Sequence, residues 1–116
     1  MTDGCVFCKI AKGEIPSEKV ADSNNFFAIR DNNPKAEGHT LIIPKKHFVT
    51  LLDIPNTLGE ELLKITKQVS SDLLDKKLGD GFNIIMNNLA PAGQLIPHAH
   101  LHIIPRKEND NLKSMA

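Results

Sequence analysis

The sequence has no excess of charge of either sign: 14 lysines and arginines offset 14 aspartates and glutamates, for a formal net charge of zero. A dedicated nucleic-acid binder normally carries a basic excess or stripe, so that class is disfavoured; a small phosphorylated ligand needs only a local site. No apolar run approaches the roughly 18 residues of a membrane span. Met1-Thr2-Asp3-Gly4 has neither the basic stretch nor the apolar core of a secretory signal. Cysteine is scarce, with Cys5 and Cys8 the only two. They are too close to staple distant parts of a fold, and in a reducing compartment Cys-x-x-Cys is more often a metal or redox element than a structural disulfide. Internal repeats and low-complexity tracts are also missing. These absences lead us to expect a cytoplasmic protein with no membrane partner.

What is present is ordinary for a globular domain: 116 residues, 41% apolar and 24% charged. We expect one domain over residues 1–116, with a loose polar tail from 108 to 116. Residues 5–12 read as a short helix that Gly13 ends and Pro16 keeps from continuing. Residues 19–22, 26–29, 40–43 and 82–86 read as strands, the third closed by Pro44. Thr57-Leu58-Gly59-Glu60 has the form of a capping box. It opens a long helix with Leu58, Leu62, Ile65, Val69 and Leu73 on one stripe, Lys76 and Lys77 at its C-terminal end and Gly79 as the residue that terminates it. This order predicts an α+β fold, with an antiparallel sheet covered on one face by the long helix.

The densest chemistry lies in residues 97–105. His98, His100 and His102 alternate with Ala99, Leu101 and Ile103. On a strand, the three imidazoles would share one face and the apolar residues the other. Three consecutive same-face residues span about 13 Å, so they do not converge easily on one ion. A division of labour fits better. A neutral imidazole is a competent nucleophile near neutral pH, and its neighbours can donate hydrogen bonds to developing phosphate charge. Cys5 and Cys8 offer two thiolates at a spacing that suits zinc, with two further ligands to come from among His39, His47 and the three clustered histidines. Nearly forty residues separate Cys8 from His47, too many for a C2H2 finger. A reduced metal-free pair is the competing reading, and thioredoxin-like redox chemistry a weaker one.

His98-Ala99-His100-Leu101-His102-Ile103-Ile104 resembles the signature of the histidine triad (HIT) superfamily. Cys5-Val6-Phe7-Cys8-Lys9-Ile10, Gly13-Glu14-Ile15-Pro16, Ile43-Pro44-Lys45-Lys46-His47 and Ala92-Gly93-Gln94 resemble its Hint/bacterial Hit branch, in order, over residues 4–107. The resemblance implies a HIT-like fold of about five antiparallel strands, one long helix and a short N-terminal helix, pairing into a homodimer with a continuous sheet. It implies hydrolysis or transfer at the α-phosphate of a purine nucleotide or nucleotide conjugate, such as a phosphoramidate. In that scheme His100 is the nucleophile, forming a covalent nucleotidyl-histidine, and His102 contacts the phosphoryl oxygens or leaving group. Asn87 and Gln94 help hold the phosphate, Asp31 binds the ribose hydroxyls, and Phe7, Ile10 and Ile29 line the base pocket. Cys5, Cys8, His47 and His98 form a structural zinc site, and His39 is left as a surface or packing residue. Three departures stand out. Leu95 replaces a small hydroxyl residue and offers the phosphate only its backbone N–H. Ile29-Arg30 replaces a more aromatic, histidine-containing pair, and the tail is short and lacks aromatics. A zinc-stabilised nucleotide-binding or interaction module with weak catalysis, and a dinucleoside polyphosphate hydrolase, are the alternative functions.

Overall fold

The computed structural model describes residues 4–112; Met1-Thr2-Asp3 and the last four residues of the expected tail lie outside the described residues. The elements follow as α1 (Val6–Ala11), β1 (Lys19–Asp22), β2 (Phe26–Arg30), β3 (Thr40–Pro44), α2 (Gly59–Asp75), β4 (Gly81–Ile85) and β5 (Leu101–Arg106). The strands form one antiparallel sheet in the order β1-β2-β3-β5-β4.

The sheet is buried on both faces at its centre, and period-two alternation decides which residue goes where. Phe26 and Ala28 of β2, Ile42 of β3 and Ile103 of β5 pack under Ile65, Val69 and Leu73 of α2. Phe27, Ile29, Leu41 and Ile43 point the other way, against Phe7 and Ile10 of α1. The apolar stripe expected on the long helix therefore faces the sheet, and the short N-terminal helix covers part of the opposite face.

Both helices end in Schellman motifs. In α1, Gly13 is left-handed at φ +79°, with Gly13 N–H bonded to Ile10 O at 3.0 Å and Glu14 N–H to Lys9 O at 2.8 Å. In α2 the equivalent left-handed residue is Lys77, at φ +60°, with Leu78 N–H bonded to Leu73 O at 3.0 Å. Gly79 is therefore not the terminator. It is needed for close approach instead: a Cβ there would lie 2.8 Å from Gly81 O, 2.9 Å from Pro105 Cβ and 3.0 Å from Arg106 N. The start of α2 also departs from expectation. Pro55 begins a 3₁₀ turn over Asn56–Leu58 that runs directly into the helix, so Leu58 is the N-cap and no side chain caps it. Thr57 is already inside a helical turn and cannot accept from residue 60. A capping box does form seven residues earlier, between Thr50 and Asp53, on a separate 3₁₀ turn over Leu51–Asp53. Glu61 ties the helix to the β1–β2 turn, accepting from the Ser23 hydroxyl and from the backbone and side chain of Asn25.

The histidine run is only partly a strand. β5 pairs with β3 from Leu101 onward, and residues 97–100 lie outside the ladder. Pro44, at the end of β3, has no N–H with which to extend the ladder, and its carbonyl is taken by the His98 ring. Ala99 N–H bonds Phe48 O instead, at 2.7 Å. Beyond β5, Arg106 binds Asp110 through Nε at 2.8 Å and the Leu112 carbonyl through its guanidinium at 2.7 Å.

Candidate active site

An open cleft of about 740 Å³ lies between α1, the end of β2 with the loop after it, β5 and the 86–100 segment. Phe7, Ile10, Ile29, Asp31, Asn87, Leu95, His100 and His102 line it, together with His39. Gln94 does not. Its side-chain oxygen accepts from Leu89 N–H at 2.6 Å, and its amide donates to Val49 O at 2.6 Å and Ile96 O at 3.1 Å. Both ends of Gln94 are thus spent clasping the loop, including Leu89 at the unusual φ of +74°. Leu95 is 92% exposed at the lip.

Each histidine of the run has its protonation fixed by a different neighbour. His100 Nδ1 lies 2.7 Å from the His98 carbonyl. A carbonyl only accepts, so Nδ1 carries the proton, and in the neutral ring the lone pair lies on Nε2. His102 is set from the opposite direction. Lys35 N–H donates to His39 Nδ1 at 3.1 Å, which places the His39 proton on Nε2. That N–H points at His102 Nδ1, 3.0 Å away. His102 Nδ1 is then an acceptor, and its own proton sits on Nε2. The two rings lie 5.0 Å apart between centroids, so a nitrogen lone pair and an N–H donor stand side by side in the cleft. Burial holds His102 at about 4, well below the ordinary imidazole value, and the nearby His100 and His39 rings add to the effect. Burial also lowers His39, against the opposing pull of Asp31. Both rings are neutral at pH 7, as this proton arrangement requires.

Asp31 is held by its own turn. Its carboxylate accepts from Asn33 N–H at 3.0 Å, and its second oxygen lies 3.4 Å from His39 Nε2. His39 was read from the sequence as surface or packing; it is 2% exposed and orients His102. The signal was register. Leu41 pairs with His102 across β3 and β5, and His39 lies two residues before Leu41, on the same face.

Behind the cleft, Cys5, Cys8, His47 and His98 bring their four ligand atoms within 4.8 Å of one another. Cys5 Sγ is 3.2 Å from His98 Nδ1, Cys8 Sγ is 3.5 Å from the same atom, and Cys8 Sγ is 3.3 Å from His47 Nδ1. A tetrahedral ion with bonds of about 2.0–2.3 Å to nitrogen and sulfur has edges of about 3.5 Å, so the four donors fit one closely. His98 Nε2 lies 2.8 Å from Pro44 O, which keeps that proton in place and turns the Nδ1 lone pair toward the thiols. Both cysteines are buried and free. Burial, with Cys5 alongside, pushes the Cys8 thiol up to about 11, a cost that a coordinated cation removes. The group expected to hold a metal is thus assembled from three distant stretches of chain, and it leaves His100 and His102 outside it.

The HIT domain pattern matches residues 12–109. The chain is 42% identical to an adenylylsulfatase from Arabidopsis thaliana, over 97% of its own length and 57% of that protein's, so it spans little more than half of that relative. It is 41% identical to an adenosine 5′-monophosphoramidase from Candida albicans, over 90% of this chain and 71% of the other. Among solved structures, a zinc-bound histidine triad family protein from Mycobacterium smegmatis superposes with a TM-score of 0.89 at 34% identity, covering 97% of this chain and 82% of that one.

Proposed function

Because this chain belongs to the HIT domain family, we propose that it is a nucleotide hydrolase or transferase acting at the α-phosphate of a purine nucleotide conjugate. The observation that carries this reading is the opposed protonation of the two cleft histidines, a free Nε2 lone pair on His100 beside an Nε2–H on His102. In the proposed reaction His100 Nε2 attacks the α-phosphorus. A P–N bond forms as the bond to the leaving group breaks, with His102 Nε2–H donating a hydrogen bond to the departing atom, which takes its proton from solvent. Water then attacks the nucleotidyl-histidine and returns His100 to its starting form. Asp31 holds the ribose hydroxyls, Phe7, Ile10 and Ile29 seat the base, and Asn87 with the Leu95 backbone N–H contacts the phosphate. Gln94 serves by shaping the loop. The relatives that act on adenylyl sulfate and adenosine phosphoramidate support a substrate with an adenylyl group.

Cys5, Cys8, His47 and His98 would hold a structural zinc ion, which needs no open coordination position and supplies rigidity to the back of the cleft. The exposed Phe82 and Ile84 on edge strand β4 support a homodimer in which two β4 strands meet. A cage that uses Cys5 and Cys8 as thiolates suits the reducing cytoplasm.

The test is a His100→Ala variant. It is expected to bind AMP as the parent does and to lose at least about 10³-fold in turnover of adenosine 5′-phosphoramidate. Unchanged turnover would remove His100 from the mechanism. A second reading, a binding module with weak catalysis, is favoured by Leu95, which puts an apolar side chain at the lip. It predicts AMP binding with no turnover above background in the parent protein.

A further inference from the structure

Three features carry more than the chemistry above uses. A cluster of Asp31, His39 and His102 has metal-ligand types at metal-ligand distances. However, His39 Nδ1 already accepts a backbone N–H, so Nε2 cannot give up its proton to an ion without leaving two donors opposed. The cation of Lys35 lines the cleft, but the structure does not relate it to one end of a ligand. The third feature is the way α1 connects the two centres.

We propose that Phe7 is a positioning residue that couples the metal cage to the nucleotide cleft, so that zinc and nucleotide each strengthen the binding of the other. The proposal rests on the nucleotide-binding reading above. Phe7 sits between Cys5 and Cys8 on one short helix, so the residues that would hold the metal also fix its ring. The ring meets His98 of the cage edge-on, with centroids 5.7 Å apart and planes at 89°. It meets His100 in the same manner, at 5.0 Å and 73°. Phe7 is 4% exposed, held between these two histidines and the apolar core on this face of the sheet. Val6, Phe7 and Ile10 together form the α1 wall of the cleft.

With six residues, α1 is too short to be stable by itself. It is held by its packing on the sheet and by whatever binds its two thiols. A base lying against Phe7 and Ile10 presses α1 onto the sheet and so stabilises the cage. An ion in the cage holds the wall in place for the base. Linkage requires the two effects to be equal.

Zinc-loaded protein is brought to equilibrium with a colorimetric zinc chelator that takes about half of the metal, in the absence of ligand, with saturating AMP, and with saturating ribose 5-phosphate, which lacks the base. AMP is expected to raise the apparent zinc affinity at least about fivefold, and ribose 5-phosphate to leave it unchanged. In Phe7→Leu, which keeps an apolar wall but removes the ring, AMP at the concentration that saturates the variant by calorimetry is expected to raise it less than twofold. Calorimetry on the same samples separates the two levels of the claim. Absence of AMP binding to the parent overturns the nucleotide reading itself. AMP bound with unaltered zinc affinity overturns the coupling. A rise with ribose 5-phosphate equal to that with AMP, or the full rise in Phe7→Leu, overturns the route through Phe7.

Discussion

Acidification should weaken this fold through one identifiable ring. His102 is held neutral by burial, at about 4 in the folded protein against about 6.5 in an unfolded chain. Above pH 6.5 both states are unprotonated and the ring has no effect on stability. As the pH falls below that value the unfolded chain binds a proton that the folded protein does not, so stability is lost progressively down to about pH 4. At pH 5.5 the two values give a loss of about 1.4 kcal/mol. His39 is lowered in the same direction and adds to it. The assay is urea unfolding of the parent and a His102→Gln variant at pH 7.5 and 5.5, with equal zinc occupancy verified by metal analysis. Glutamine can still accept from His39 Nε2–H but does not titrate. The parent should lose about 1.4 kcal/mol more than the variant between the two pH values. Equal losses would show that His102 is not held neutral, and the arrangement of protons in the cleft would fall with it.

Three further outcomes follow from particular features of the structure. His39→Ala removes the N–H that orients His102, so kcat on adenosine 5′-phosphoramidate should fall about 10- to 100-fold while AMP affinity changes little; an equal loss of both in steady-state kinetics and calorimetry would mean that His39 serves packing alone. Gly79→Ala forces a methyl group to within 3.0 Å of the β5 backbone and should lower stability by about 2 kcal/mol or more, whereas Lys77→Gly relieves a left-handed lysine and should raise it by up to about 1 kcal/mol. Paired thermal melts check both, and the reverse order would return the helix terminator to residue 79.

What the sequence made legible was local and periodic. The stripe on α2 and the continuous apolar runs of β2 and β3 are one-dimensional patterns, and the runs fit strands buried on both faces. Residue types with narrow uses, the cysteine pair and the histidine run, pointed to the cage and the cleft. Where the reading missed, a neighbouring residue or a tertiary contact had overridden the local signal. Thr57 has the right neighbours for a cap, but Pro55 starts the helical turn too early for it to act. Gly79 looks like a terminator because glycine usually is one, yet it is required by the backbone of β5. The histidine run has strand periodicity, but Pro44 on its partner strand cannot carry the ladder past Leu101. His39 could be placed beside His102 only through the β3–β5 register, and Gln94 could be seen as a clasp only once Leu89 and Val49 were in position around it.

The cage has a consequence for how firmly the N-terminal helix is tied to the fold. Cys5 and His98 are 93 residues apart, and Cys8 and His47 are separated by 39. An ion joining them would act as a cross-link across most of the chain. By the entropy of closing such a loop it would remove about 4–5 kcal/mol of freedom from the unfolded ensemble. The helix it ties down has only six residues and covers the sheet face formed by Phe27, Ile29, Leu41 and Ile43. Metal supply would thereby set how much of the stability of that face, and of the cleft wall it carries, comes from outside the polypeptide.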